Sequence, residues 1–306
     1  MPRTVDWCCG GIGGITLARG DLPAGIERLI RDRVDVTDDA ASEVAAMLRE
    51  VADRLAGGLR DYLGGGTLDD ARAYLYGAQL SDVIAILDEI TDDNGYPLMD
   101  AAQEAWRDEL QRLSGEAMRT AERAGLALLD PGFDSDGFAA AMASRYRNAA
   151  DTWGVVVKEP FALRILQSFD AALFADSWSS ASTSLRASLE SAIAPIETDV
   201  RTETAAFDRY VAATTARFAD PDGSLLAWVY AGPVDGLQRK FCREVYGLAW
   251  TRDQVVAMDN GMPGMPPVFF GGGYNCRHHW VQMPMAAANA LGIPRATDAD
   301  AARVGV

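Results

Sequence analysis

His278 and His279 are the only histidines in the chain, and they follow Cys276 by two and three residues. With Cys242 they form a group holding every histidine and half of the four cysteines. Thiolate sulfur and imidazole nitrogen are good zinc ligands, and a closed structural site takes four. If Cys276-Arg277-His278 is extended, Cys276 and His278 share one face and His279 takes the other. Cys242, Cys276 and His278 are then three same-side ligands. Asp235, or His279 with local bending, is the candidate fourth. The same residues equally suit a buried pair of free thiols beside a hydrogen-bonded histidine, so structural zinc and a metal-free cluster both stand open. Cys8 and Cys9 are adjacent, so a bridge between them is strained. Four cysteines in 306 residues do not make a secreted disulfide scaffold, and a reducing compartment is expected.

The charged residues nearby are Arg201, Glu203, Asp235 and Arg239. A guanidinium paired with a carboxylate fastens elements well, and these four are expected to tie a helix to the C-terminal part of the chain. A catalytic role for Glu203 is the weaker reading, because no nucleophile–base pair can be named. Trp228, Tyr230, Phe269, Phe270, Tyr274 and Trp280 read as core and interface aromatics rather than a base-stacking platform. Gly10-Gly11-Ile12-Gly13-Gly14 lacks the spacing of a phosphate-binding loop and reads as a flexible arm.

Helical patterning positions these residues. Thr37-Asp38-Asp39 can start a helix that carries Val44, Met47, Leu48, Val51 and Leu55 on one face. Gly57-Gly58 weakens it and Gly64-Gly65-Gly66 ends it. A helical pattern resumes at Asp69, Asp92–Pro97 is a turn, and further helices cover 98–128, 135–153 and 160–193, with a serine-rich interruption at 178–184. Pro195 leads into a helix that opens at Glu197 and runs to about Phe218. After Asp220-Pro221-Asp222-Gly223 the character changes: Ser224–Tyr230 can be a strand. Thr251 and Gln254 have the pattern of a capping box for a short helix over 252–259. The fold class expected is mainly α, a helical N-terminal assembly followed by a small α+β module with strands confined to 224–285. The divisions are a glycine-rich arm (1–20), an α-helical domain (21–194), the α+β module (195–285) and a C-terminal tail (286–306).

The formal net charge of −16 opposes bulk attraction to nucleic acid. Any DNA contact is expected from a local patch such as Arg239, Lys240, Arg243, Arg252 and Arg277. No stretch approaches the roughly 20 apolar residues of a membrane helix, and Met1–Asp6 is not followed by the apolar run of a secretory signal.

Four pieces of the last third stand in a telling order: helical Arg201-Thr202-Glu203; Trp228 followed by Asp235, Arg239 and Cys242; the Pro266-Pro267 turn; and Asn275-Cys276-Arg277-His278. Over about residues 195–285 this resembles the phage Mu F-like family of head morphogenesis, or minor head, proteins. That family has Asn-Cys-Arg-Cys near its end and often His-Pro before it. Here His278 stands for the last cysteine, and Gly273-Tyr274 for His-Pro. The resemblance implies a virion component near the portal, in the head or in host cytoplasm during assembly. It would bind portal or major capsid protein in head assembly and genome packaging or delivery. The alternative from a different class is a zinc-dependent hydrolase or transferase domain carried by a helical delivery region.

Overall fold

The computed structural model describes residues 22, 24–123, 135–234 and 236–306. The glycine-rich arm with Cys8 and Cys9 lies outside them, and so does Asp235. The described chain is mainly α-helical with one small antiparallel sheet near its C-terminus, the class expected. No described helix is long and apolar enough to cross a membrane. The contacts group into two compact units: Asp38–Glu109 with Arg147–Arg201, and Thr202–Val306 with Leu110–Tyr146 and the chain up to Thr37.

The first unit is helical. Helix α1 (Ala24–Gly57) starts well before Thr37. That threonine is buried within the helix, its hydroxyl donating back to the Val34 carbonyl at 2.9 Å. Beyond it Ala41, Val44, Ala45, Leu48, Val51, Ala52 and Leu55 are buried, three or four residues apart on one face. Short helices α2 (Leu59–Tyr62), α3 (Leu68–Gly77) and α4 (Leu80–Glu89) follow. The chain then reverses where the Asp92 carboxylate accepts from the N–H groups of Asn94 and Tyr96, at 2.8 and 2.9 Å. Helices α5 (Leu98–Arg123) and α6 (Ser135–Asp151) each carry residues of both units. A π-helical turn, Gly154–Lys158, leads into α7 (Glu159–Leu173). Pro160 has no N–H for the Val156 carbonyl, and the widened turn accommodates that missing bond. Helix α7 packs on α4, and Trp153 meets Trp106 with ring centroids 5.6 Å apart.

Helix α8 (Trp178–Ala219) corrects two expectations. The serine-rich stretch is its first two turns rather than an interruption: the Ser177 hydroxyl accepts from the Ser180 N–H at 3.2 Å, as an N-cap does. Pro195 lies inside the helix rather than before a new one. Leu185, Leu189, Ile193, Ile196 and Val200 keep one buried face continuous across it. That packing outweighs the ~3 kcal/mol a mid-helix proline costs. The boundary expected near residue 195 falls inside α8, and the contacts change unit between Arg201 and Thr202.

The second unit holds the sheet. Strand β1 (Leu226–Ala231) lies between β2 (Ala249–Trp250) and β3 (His279–Pro284), antiparallel to both. All six residues of β1 are buried, as befits a central strand covered on both faces. Strand periodicity sorts them. Leu226, Trp228 and Tyr230 face a core of Phe241, Val245, Trp250, Val255 and Trp280. Ala227, Val229 and Ala231 face Ile26, Ile30 and Val34 of α1, where small side chains leave room for the helix. Around the sheet lie α9 (Lys240–Val245), α10 (Arg252–Ala257), α11 (Pro267–Phe270), α12 (Met285–Ala290) and α13 (Asp298–Arg303). Helix α10 carries the expected capping box, the Gln254 N–H reaching the Thr251 hydroxyl at 3.3 Å. Residues 286–306, read from sequence as a tail, belong to this unit: Arg295 bridges to Ala249 beside β2, and Ala301 and Val304 enter the core.

Candidate metal centre

Cys242 projects from α9, Cys276 from the loop between α11 and β3, and His278 stands immediately before β3. All three are buried, and their ligand atoms lie within 4.8 Å of one another. The two sulfurs are 3.8 Å apart, and Cys276 Sγ is 3.8 Å from His278 Nδ1. The sulfurs are free thiols rather than a disulfide. Cys276 Sγ also receives the Gly272 N–H at 3.2 Å and contacts the Tyr230 hydroxyl at 3.1 Å. On the other edge of the imidazole, His278 Nε2 meets the Gln238 amide at 3.0 Å. The Tyr230 ring stacks on His278, centroids 5.2 Å apart.

The loop is shaped by this crowding. A Cβ on Gly272 would lie 2.3 Å from Cys242 Sγ, so only glycine brings its N–H so close to the sulfurs. Gly271 and Gly273 have positive φ, and so does Asn275, the one non-glycine with positive φ among the described residues. A glycine at 232 serves in the same way, since its Cβ would sit 2.7 Å from the His278 backbone.

Proton sharing divides the thiols. The hydrogen bond from Cys242 draws the Cys276 thiol well below its ordinary value against the effect of burial, with help from His278 and Arg209. The same bond, with burial, pushes Cys242 up. Burial, together with the neighbouring sulfurs, keeps the Tyr230 hydroxyl protonated. A pocket of about 260 Å³ opens over the cluster, lined by Cys242, Cys276 and His278 with Leu237, Gln238, Arg239, Asn275 and Arg277.

His279 takes the opposite face, as strand alternation requires. Its Nδ1–H donates to Asp208 Oδ2 at 2.8 Å, and its Nε2 is buried without a partner. It therefore stands outside the cluster for which it was, beside Asp235, a candidate fourth ligand. Burial alone would raise the Asp208 carboxyl, but Arg33 at 3.7 Å, the His279 bond and Arg209 hold it down at about 2. Burial lowers His279 below its ordinary value despite that carboxylate.

Sequence reasoning missed the residue that holds the loop. Arg209, 1 % exposed in the last third of α8, donates to the backbone carbonyls of His278 (2.8 Å), Phe269 (3.0 Å) and Cys276. The signal was an adjacent pair of charges, Asp208-Arg209, inside the otherwise apolar run Ala205–Ala212, which includes Tyr210. Such a pair cannot stay solvated on a face that packs.

The remaining motif residues divide between the two units. Thr202 accepts the Asn275 N–H at 3.0 Å, and Arg239 donates to the Tyr274 carbonyl at 2.6 Å. Trp228 pairs with Trp250 across the strands and sets its edge against Trp280, centroids 6.3 Å apart. Arg201 pairs with Asp38 and Glu197, at 2.6 and 2.9 Å. It thus fastens α8 to α1 within the helical unit instead of reaching the C-terminal module. Glu203 is partly exposed and does not line the pocket. In the expected basic patch, Arg243 donates to the Gln238 carbonyl, Arg252 to those of Asp220 and Pro221, and Lys240 faces Glu244. No protein-family model, curated protein or solved structure matches the chain.

Proposed function

We propose that this is a minor head protein of a tailed bacteriophage, a virion component near the portal that acts by binding other proteins in head assembly and genome packaging or delivery. One observation carries the reading. Thr202, Arg239, Cys242, Asn275 and Cys276, which belong to the order that resembles the Mu F-like family, gather at one turn. Thr202 holds Asn275, Arg239 holds Tyr274, and Cys242 meets Cys276.

The module is braced from inside. Several of its polar side chains are spent on its own backbone: Arg209 on three carbonyls, Asp220 on the N–H groups of Ser224, Leu225 and Leu226, Asn260 on the carbonyls of Met265 and Gly271. Rigid surfaces bind at lower entropic cost. Leu237 at 73 % and Phe174 at 82 % exposure are large apolar side chains at the surface. The partners proposed are the portal and the major capsid protein, and the location is the virion.

The pocket over Cys242 and His278 favours one second reading, a zinc-dependent hydrolase or transferase. The test is a pull-down of phage portal and major capsid protein with the full-length chain, together with its detection in purified virions. Retention of either partner and presence in the head are expected. A chain that binds neither, is missing from virions, and turns over a substrate in solution replaces the head-protein reading with the enzyme.

A further inference from the structure

We infer that Cys242, Cys276 and His278 bind one zinc ion and leave its fourth position to a water molecule in the pocket, beside Asn275. Metal–sulfur bonds of about 2.3 Å and metal–nitrogen bonds of about 2.0–2.1 Å give tetrahedral edges of about 3.8 Å between sulfurs and about 3.6 Å between sulfur and nitrogen. Two edges of the cluster are already 3.8 and 3.8 Å, and the third, from Cys242 to His278, is within 4.8 Å. A metal would draw that third edge in to about 3.6 Å to complete the coordination sphere. Two thiolates also cancel the charge of the dication, so the loaded site can stay buried beside Arg209, which is itself buried.

The surroundings are those of ligands rather than of idle thiols. The Gly272 N–H points at Cys276 Sγ, and the Tyr230 hydroxyl lies 3.1 and 3.7 Å from the two sulfurs. Such donors stabilise thiolate charge. The Gln238 amide holds Nε2 of His278 and leaves Nδ1 facing the sulfurs. Turning that amide about its last bond presents its oxygen to an Nε2–H, which fixes the tautomer a metal at Nδ1 requires.

The fourth position belongs to the pocket. His279 is committed to Asp208 on the other face, and no fourth described histidine, cysteine or carboxylate joins the cluster. Three protein ligands and a water make an open site rather than a closed structural one. Asn275 lines the pocket with its Oδ1 buried and unpartnered, an acceptor suited to the O–H of a bound water. Arg239 and Arg277 line it too, so a small anion is the ligand that would exchange with that water. This site would hold metal whichever assembly the chain serves.

The experiment is a cobalt(II) titration of the reduced full-length chain carrying Cys8→Ser and Cys9→Ser, followed by addition of azide. One equivalent should bind, with sulfur-to-cobalt charge transfer and the strong visible bands of a four-coordinate ion. Azide should then shift those visible bands. Zinc should displace the cobalt, and the unsubstituted chain purified without chelator should contain zinc. Gln238→Leu leaves all three ligands in place and should weaken binding by about tenfold to hundredfold. Absence of the sulfur band and of metal in the purified chain overturns the site. A cobalt spectrum indifferent to azide overturns the open fourth position.

Discussion

Replacing Arg209 by methionine should destabilise the sheet-containing unit more than any single surface change. The guanidinium serves three carbonyls, and two of those bonds, to Cys276 and His278, are buried, while the one to Phe269 is partly buried. Methionine fills a similar volume and donates nothing. Hydrogen bonds from a charged donor contribute about 1.5–3 kcal/mol each, and the two buried carbonyls have no route to water. Counting those two alone gives a loss of about 3–6 kcal/mol, or a melting temperature lower by roughly 10 °C or more. Lysine carries its donors on one atom and cannot span three carbonyls as a planar fork does, so Arg209→Lys should recover less than half of the loss. Arg49 supplies the contrast. Its side chain is 45 % exposed and stands 3.8 and 3.7 Å from Glu190 and Glu197. Exposed pairs of this kind contribute less than about 1 kcal/mol, and Arg49→Met should stay within that. Urea unfolding followed by tryptophan fluorescence reads all three variants, since Trp228, Trp250 and Trp280 lie in the core beside Arg209, and Trp106 and Trp153 lie in the helical unit of Arg49. If Arg209→Met unfolds within about 1 kcal/mol of the parent, the loop does not depend on the fork, and the reasoning fails.

Stability should fall with acid in two stages. Both His279 and Asp208 titrate lower in the folded chain than in the unfolded one. Each therefore contributes stability that is complete above its ordinary value and lost as pH falls towards its folded value. His279 acts first, below about pH 6.5, and Asp208 follows from about pH 4 down to about 2, contributing about 2 kcal/mol at neutral pH. Urea midpoints measured from pH 7 to pH 3 should decline throughout, and a midpoint level across that range would refute the account. Pro195→Ala should stabilise the chain by about 1–2 kcal/mol. It restores the N–H that proline lacks, while the more flexible unfolded chain takes part of the gain back. A lower melting temperature for this variant would mean that the ring itself packs against something alanine cannot replace.

The sequence by itself determined the helical class and the place of the sheet, and it drew attention to Cys242, Cys276 and His278 as a group. Apolar spacing of three and four along Val44–Leu55 is a local record of which face is buried, and the unbroken apolar run up to Tyr230 is one of a strand covered on both sides. The capping box of Thr251 and Gln254 is equally local. Pairing Cys276 with His278 and separating His279 needed only the alternation of side chains in an extended chain. Tertiary structure decided whatever depended on partners distant in sequence. Helix α8 runs through Pro195 because a buried stripe on both sides outweighs one missing bond. Arg201 serves the helical unit because Asp38 stands opposite it, and no pattern around Arg201 announces that. Arg209 holds the cysteine–histidine loop because three carbonyls, from residues 60 to 69 positions away, converge on one guanidinium. A backbone carbonyl has no residue type, so its need for a donor leaves no mark in the sequence at the place where it arises.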